Sequence, residues 1–240
     1  MSIKEKKEID RVTHFNEHLL ALTSHQLKTP IGIVRGYATL LREGFYGPLN
    51  DQQKEILSKI EFGTEEVVAL VDKVINLRTI EEGTIEYQIQ RLDFVRIARR
   101  AAEEMGHMAL SRGLDLSFSG PNHEIFVNGD DEKLYQVIQN FIDNSVKYAK
   151  EGSITVKVEE KNGAVELSVA DSGMGIAPEV IPLLFHEFVR DKNIAKEIHG
   201  TGMGLYIART FIEAQGGKVW VESAGLGKGS TFYLSLPIAQ

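Results

Sequence analysis

The sequence predicts an α+β protein in two parts: an N-terminal helical hairpin over residues 1–83, forming a four-helix bundle with a second copy, and an α/β sandwich over residues 84–240. Three observations predict it. Before residue 83 apolar side chains recur in alternating steps of three and four, the spacing of a helix packed on helices. One turn-rich stretch, Glu43 to Asp51, interrupts that pattern and divides it into two helices. Beyond residue 84 the heptads give way to short alternating strands, separated by helical segments and glycine loops.

The first helix carries a seam at Val12, Phe15, Leu19, Leu22, Gln26, Thr29, Ile33, Gly36 and Leu40. The second carries Ile56, Ile60, Gly63, Val67, Leu70, Val74 and Leu77, flanked by an apolar row at Leu57, Val68, Val71 and Ile75. Asn50 and Asp51 can start that helix and Glu81 to Thr84 closes it. Two such helices present more apolar surface than they can bury against each other, so a homodimer is expected. In the second part Arg91 to Ser111 reads as a helix entered near Asp93, and Leu114 to Phe118 and Glu124 to Val127 as strands. Asp130 to Ala149 reads as a helix capped by aspartate, followed by a hairpin over Ser153 to Glu159 and Ala164 to Ala170. A helix over Gly204 to Gln215 and paired strands over Lys218 to Glu222 and Ser230 to Leu236 complete a mostly antiparallel sheet with helices on one face. Trp220, between two valines, is expected in the core.

Composition narrows the function. The 240 residues are 42% hydrophobic and 25% charged, an ordinary globular balance. A net charge of -7 without a Lys/Arg stripe argues against a nucleic-acid partner. The absence of cysteine removes disulfides, thiolate metal sites and cysteine nucleophiles. No run approaches the ~18 apolar residues of a membrane span, and the polar start lacks a secretion signal, so a cytoplasmic location without direct membrane contact is expected.

Four constellations carry chemistry. Ser24-His25-Gln26-Leu27-Lys28-Thr29-Pro30 lies inside the first helix, where Pro30 removes an amide donor and crowds the carbonyl of Gln26, bending the helix beside His25. A lone helical histidine is most often merely solvated. One at a bundle's edge, beside a kink and facing a second domain, can offer its neutral ring nitrogen as a nucleophile to phosphorus. In Asn140-Phe-Ile-Asp-Asn144-Ser-Val-Lys147-Tyr148 two amides and an ammonium share one helix face, a donor set suited to magnesium and phosphate. Asp171-Ser-Gly173-Met-Gly175-Ile176 follows an apolar strand; its carboxylate can accept a hydrogen bond from an exocyclic amino group such as adenine's, and its glycines let the backbone approach a flat ring. Gly200-Thr201-Gly202-Met203-Gly204-Leu205 opens a helix whose free amides form an anion site. Neither loop fits the dinucleotide fingerprint or the P-loop. Between them Leu183 to Arg190, with Phe185 and Phe188 expected to pack beneath it, leads into a lid-like polar stretch, Asp191 to His199. His14 and His18, four apart with no third ligand, read as a solvated face.

Taken in order, SHQLKTP, NFIDNSVKY, DSGMGI, FHEFVR and GTGMGL resemble the phospho-acceptor, N, first glycine, F and second glycine boxes of two-component sensor histidine kinases. The resemblance covers nearly the whole chain. It implies a dimerisation and histidine-phosphotransfer hairpin (1–83) followed by an ATP-binding domain (84–240) of the GHKL or Bergerat fold, the class shared with gyrase, chaperone and mismatch-repair ATPases. It implies ATP and Mg2+ as cofactors and a response-regulator receiver domain, docked on the lower half of the bundle, as partner. His25 would be phosphorylated. Asp171 would bind the adenine amino group. Asn140 and Asn144 would contact phosphate and magnesium, and Lys147 and Tyr148 the nucleotide. Gly173, Gly175, Ile176, Phe188 and Arg190 would complete the nucleotide site. Gly200, Thr201, Gly202, Met203, Gly204 and Leu205 would hold phosphates, and Thr231 would stand near the adenine.

One position departs from the family. The residue after the histidine is usually acidic, and here it is Gln26, which cannot act as a base. Loss of a general base costs ~10²–10⁴ in rate, so slow autophosphorylation is expected, with phosphatase activity kept because Thr29 matches the residue that positions the hydrolytic water. A kinase-impaired phosphatase or an ATP-sensing dimeric scaffold stands as the alternative.

Overall fold

Asn50 opens the longest helix among the described residues, α2 (Asp51–Glu82), with a reciprocal capping box: its Oδ1 accepts from Gln53 N at 2.8 Å while Gln53 Oε1 accepts from Asn50 N at 2.9 Å. Gly83, at φ 65°, ends it in the left-handed conformation that favours glycine. A computed structural model describes residues 28–149, 151–186 and 202–239. The chain divides into two units, Met1–Gly83 and Thr84–Gln240.

In the first unit, α1, described over residues 28–42, runs antiparallel to α2. Four pairings set the register. Lys28 meets Asp72, Arg35 Nη2 lies 3.2 Å from Glu65, Arg42 Nε lies 3.2 Å from Glu61, and Thr39 Oγ1 donates to Glu61 at 2.9 Å. These pairs lie on the α2 face that also holds Leu57, Val68, Val71 and Ile75, so the row read from sequence as flanking faces α1. Ile56, Ile60, Val67, Leu70 and Val74 remain exposed, Val67 at 44% and Leu70 at 43%. Among the described apolar side chains of this unit only Ala38 and Leu57 are buried.

The second unit is built on a five-stranded sheet of order β2-β4-β5-β7-β6, from β2 (Leu114–Ser119), β4 (Gly152–Lys161), β5 (Ala164–Asp171), β6 (Lys218–Glu222) and β7 (Ser230–Pro237). Only β2 and β4 pair in parallel. Helices α3 (Phe94–Ser111), α4 (Asp131–Tyr148) and α5 (Gly204–Ala214) cover one face. Period-two alternation sends Ile154, Val156, Val158, Val165, Leu167, Val169, Phe232, Leu234 and Leu236 inward against Ile97, Leu134, Ile138, Phe141, Ile142, Phe211 and Ile212. Phe141 stacks on Phe232 with ring centroids 5.6 Å apart. The fold class expected from sequence, a helical region followed by an α/β sandwich, is the one observed.

Three local expectations are corrected. Helix α3 begins at Phe94, capped by Asp93, whose Oδ1 accepts from Val95 N at 3.1 Å; residues Gln90–Asp93 instead form strand β1. That strand pairs with β3, Phe126–Gly129, which lies two residues later than sequence alternation suggests. Both segments are four residues long, so their pairing across the fold decides them rather than any periodicity. Trp220 is half-buried on the outer face of the sheet, stacked in parallel on Tyr233 at 4.9 Å, because Val219 and Val221 take the inward positions.

Among the described residues no helix is long and apolar enough to cross a membrane.

Candidate functional site

Helix α4 supplies the first side of the site. Asp130 caps it, with Oδ1 accepting from Lys133 N at 3.1 Å, and the apolar face of Leu134, Val137, Ile138, Phe141 and Ile142 fixes its rotation on the sheet. Asn140 and Asn144 therefore fall one turn apart on a half-buried flank. Asn140 Nδ2 is buried and makes no hydrogen bond within the described protein. An unmet buried donor costs about 1–3 kcal/mol, so the position is built for an acceptor from outside the fold. Lys147 does not stand free beside the amides: its Nζ lies 2.5 Å from Asp143 Oδ2, with both side chains about three-quarters covered.

The second side is the start of α5. Gly202 has φ 70°, Met203 is buried, and its side chain makes no cap hydrogen bond at the helix start. A Cβ on Gly204 would overlap the Asn140 carboxamide. The second glycine motif and the N motif are thus in direct contact, and glycine is required there by the asparagine itself. Gly200 and Thr201 lie outside the described residues.

The third side is the end of β5. Asp171 Oδ2 accepts from Ser230 Oγ at 2.6 Å and from Ser145 Oγ at 3.4 Å. Its Oδ1 accepts from Gly173 N at 2.8 Å and Ser230 N at 3.3 Å. Four donors hold this carboxylate in one orientation. Met174 N donates to Tyr148 O at 3.1 Å, tying the loop to the last turn of α4. Gly175, at φ 68°, is buried, and a Cβ there would overlap Gly225 O. The sequence suggests that these glycines admit a flat ring; the structure shows that Gly175 is needed by the neighbouring loop.

Thr231 directly follows the residue that pairs with Asp171. In the β5–β7 register Asp171 pairs with Ser230 and Ala170 with Thr231, so Thr231 points to the outer face, where its hydroxyl meets Tyr233. Ser230 takes the position beside Asp171. Strand alternation carries the signal: with Phe232, Leu234 and Leu236 inward, Ser230 is inward and Thr231 is not. Ser145 and Asp143 were not singled out from the sequence either, and only the packing of α4 brings them to Asp171 and Lys147.

Thr29 is exposed on α1 and Phe185 is half-buried just after a short 3-10 turn, Ile181–Leu183. His25, Gln26, Phe188, Arg190 and the lid-like stretch Asp191 to His199 lie outside the described residues, as do His14 and His18.

The chain thus combines a helical hairpin with an α/β sandwich in which the start of α5, Asn140 and the held Asp171 carboxylate lie along α4 and the end of β5. Residues 129–240 match the family of histidine kinase-, DNA gyrase B- and HSP90-like ATPases, and residues 15–83 match the His Kinase A (phospho-acceptor) domain. The chain is 30% identical over 220 residues to histidine protein kinase DivJ of Caulobacter vibrioides, covering 91% of this chain and 37% of that protein. It is 29% identical over 241 residues to sensor histidine kinase WalK of Bacillus subtilis, covering 98% of this chain and 39% of the relative. The crystal structure of full-length ShkA in complex with AMPPNP superposes with a TM-score of 0.73 at 28% identity, covering 93% of this chain and 46% of that one. A His Kinase A domain followed by an ATPase domain of this kind makes up the catalytic core of a two-component histidine kinase, and this chain carries both. It spans about two fifths of the length of these two curated relatives.

Proposed function

We propose that this chain autophosphorylates His25 from ATP and passes the phosphoryl group to an aspartate of a response-regulator receiver domain, with phosphatase activity towards that regulator. The observation that carries the reading is the junction of Asn140 and Gly204: a buried amide donor without a partner stands against the N-terminus of α5. Two sources of N–H, one side chain and one helix terminus, converge there as a phosphate chain requires. Asp171, held by four donors, would accept from the adenine amino group.

The donor set suits a magnesium ion held by phosphate oxygens, water and the amides of Asn140 and Asn144; among the described residues no cluster of three acidic or histidine side chains competes for it. Such an ion supplies neutralisation of phosphate charge. The protein supplies the rest. The neutral His25 ring nitrogen attacks the γ-phosphorus, the N–P bond forms and the bond from phosphorus to the β,γ-bridging oxygen breaks. ADP leaves with the electron pair, and the other ring nitrogen gives up its proton to water. Gln26 can accept a hydrogen bond from that N–H and set the tautomer, but it cannot take the proton. Thr29 would position the water that hydrolyses the phosphorylated regulator.

The exposed Ile56, Ile60, Val67, Leu70 and Val74 row supports a homodimer joined as a four-helix bundle. Residues 1–83 would then be the dimerisation and phosphotransfer domain and residues 84–240 the ATP-binding domain, and a cytoplasmic location suits both substrates. Gln26 favours one second reading, a kinase-impaired phosphatase or ATP-sensing scaffold.

Incubation with γ-labelled ATP and magnesium tests the choice. An acid-labile, base-stable label that disappears in His25→Ala establishes the kinase, and a wild type that binds nucleotide but takes no label supports the second reading. Gln26→Glu is expected to raise the rate of label incorporation about 100-fold or more. An unchanged rate would remove Gln26 from the account.

A further inference from the structure

The loop after β5 and the loop between β6 and β7 meet beside Asp171, and one hydroxyl bonds to both. Ser223 Oγ accepts from Ile176 N at 3.0 Å and donates to Gly229 O at 2.7 Å, while Gly225 N approaches the same oxygen at 3.3 Å. Backbone bonds complete the seam: Gly229 N donates to Gly173 O at 3.1 Å and Gly227 N to Met174 O at 2.6 Å. Each loop also supplies donors to the Asp171 carboxylate, Gly173 N from the first and the amide and hydroxyl of Ser230 from the second. The residue that fixes the spacing of the two loops therefore fixes the direction of the carboxylate. Ser223 is half-buried and directly follows the edge strand β6, where its hydroxyl also bonds within its own loop to Gly225 O at 3.4 Å.

We propose that Ser223 is a positioning residue for adenine selectivity: by clamping the Asp171–Ile176 loop to the Ser223–Ser230 loop, its hydroxyl aims Asp171 at the exocyclic amino group of the base. The inference rests on the assignment of Asp171 to adenine. Removing the hydroxyl leaves Ile176 N and Gly229 O without their partner and loosens the seam, which the two backbone bonds alone then hold. The selectivity that depends on carboxylate direction is then lost before general affinity for a triphosphate, because the phosphate-binding amides of α5 and Asn140 are not part of this seam.

The test compares binding of ATP with that of inosine triphosphate, which carries an oxo group where adenine carries the amino group, by calorimetric titration of the full chain. Ser223→Ala is expected to weaken ATP about tenfold, with inosine triphosphate changed by less than about twofold, and Ser223→Thr to restore the ratio. A ratio unchanged in Ser223→Ala, whether both nucleotides weaken or neither does, overturns the proposal. Should Ser223→Ala fail to fold, Ser223→Cys keeps the volume with a weaker donor and must lower the same ratio; an unaltered ratio there overturns it equally. A wild type that binds both nucleotides alike refutes the assignment of Asp171 instead.

Discussion

The hairpin and the sandwich bury their apolar residues in opposite ways. In the sandwich three helices and a sheet close over Phe94, Phe141, Phe211, Leu167 and Leu234, each 1% exposed or less. The described part of the hairpin buries Ala38 and Leu57, leaves Ile33, Tyr37, Val67 and Leu70 at 43–58% exposure, and holds its two helices in register with ion pairs and one hydroxyl. Surface ion pairs contribute about 0–1 kcal/mol each. They select a register without supplying the energy to hold it. The difference teaches that the sandwich carries its own stability whereas the hairpin, in the proposed homodimer, would take most of its own from the second copy, so the two units respond to different perturbations.

The largest expected effect breaks the hairpin alone. A Val67→Glu, Leu70→Glu double variant places four carboxylates in the seam of a dimer, each costing several kcal/mol when buried unpaired. Analytical ultracentrifugation is expected to show monomers, while nucleotide titration shows ATP bound as before. Loss of both properties together would contradict the comparison.

Next in size is a defect confined to the sandwich. Phe141→Ala removes a fully buried ring stacked on Phe232 and is expected to cost about 3–5 kcal/mol in urea unfolding monitored by Trp220 fluorescence, with the oligomeric state unchanged.

The smallest effect is alkaline. Tyr135 is pushed up to about 12, first by burial and then by its hydrogen bond to Glu104; burial also raises Tyr87 and Tyr233. A raised folded-state value means that the unfolded chain loses these protons first. This contribution is fully present below about pH 10, the ordinary tyrosine value, and fades as pH rises from there towards 12. It is modest because Tyr135 lies on the surface of α3 and α4. Tyr135→Phe is expected to flatten that fall in the sandwich's unfolding transition, and an identical pH profile in the variant would count against it.

Much of this was legible in the chain itself. Long periodic segments announce themselves: α2 spans 32 residues, and its capping box and closing glycine are written in Asn50, Gln53 and Gly83. Asp171, Asn140 and Gly204 were also legible as chemistry, because a carboxylate after an apolar strand and amides spaced by one helical turn restrict what a fold can do with them. The partners of those residues were not. Ser145 is an ordinary small residue of a helix until α4 turns it towards Asp171, and Thr231 looks as suitable as Ser230 until the strand register is known.

The sequence by itself determined the change from helical hairpin to α/β sandwich and the main helices and strands, because hydrophobic period, caps and turns are local properties that neighbouring residues enforce. The tertiary structure decided the pairing of β1 with β3, the outward turn of Trp220, which apolar row of α2 faces α1, and the use of Ser223 and Ser230 around Asp171. Those outcomes depend on contacts between segments far apart in the chain, whose free energy no local pattern records.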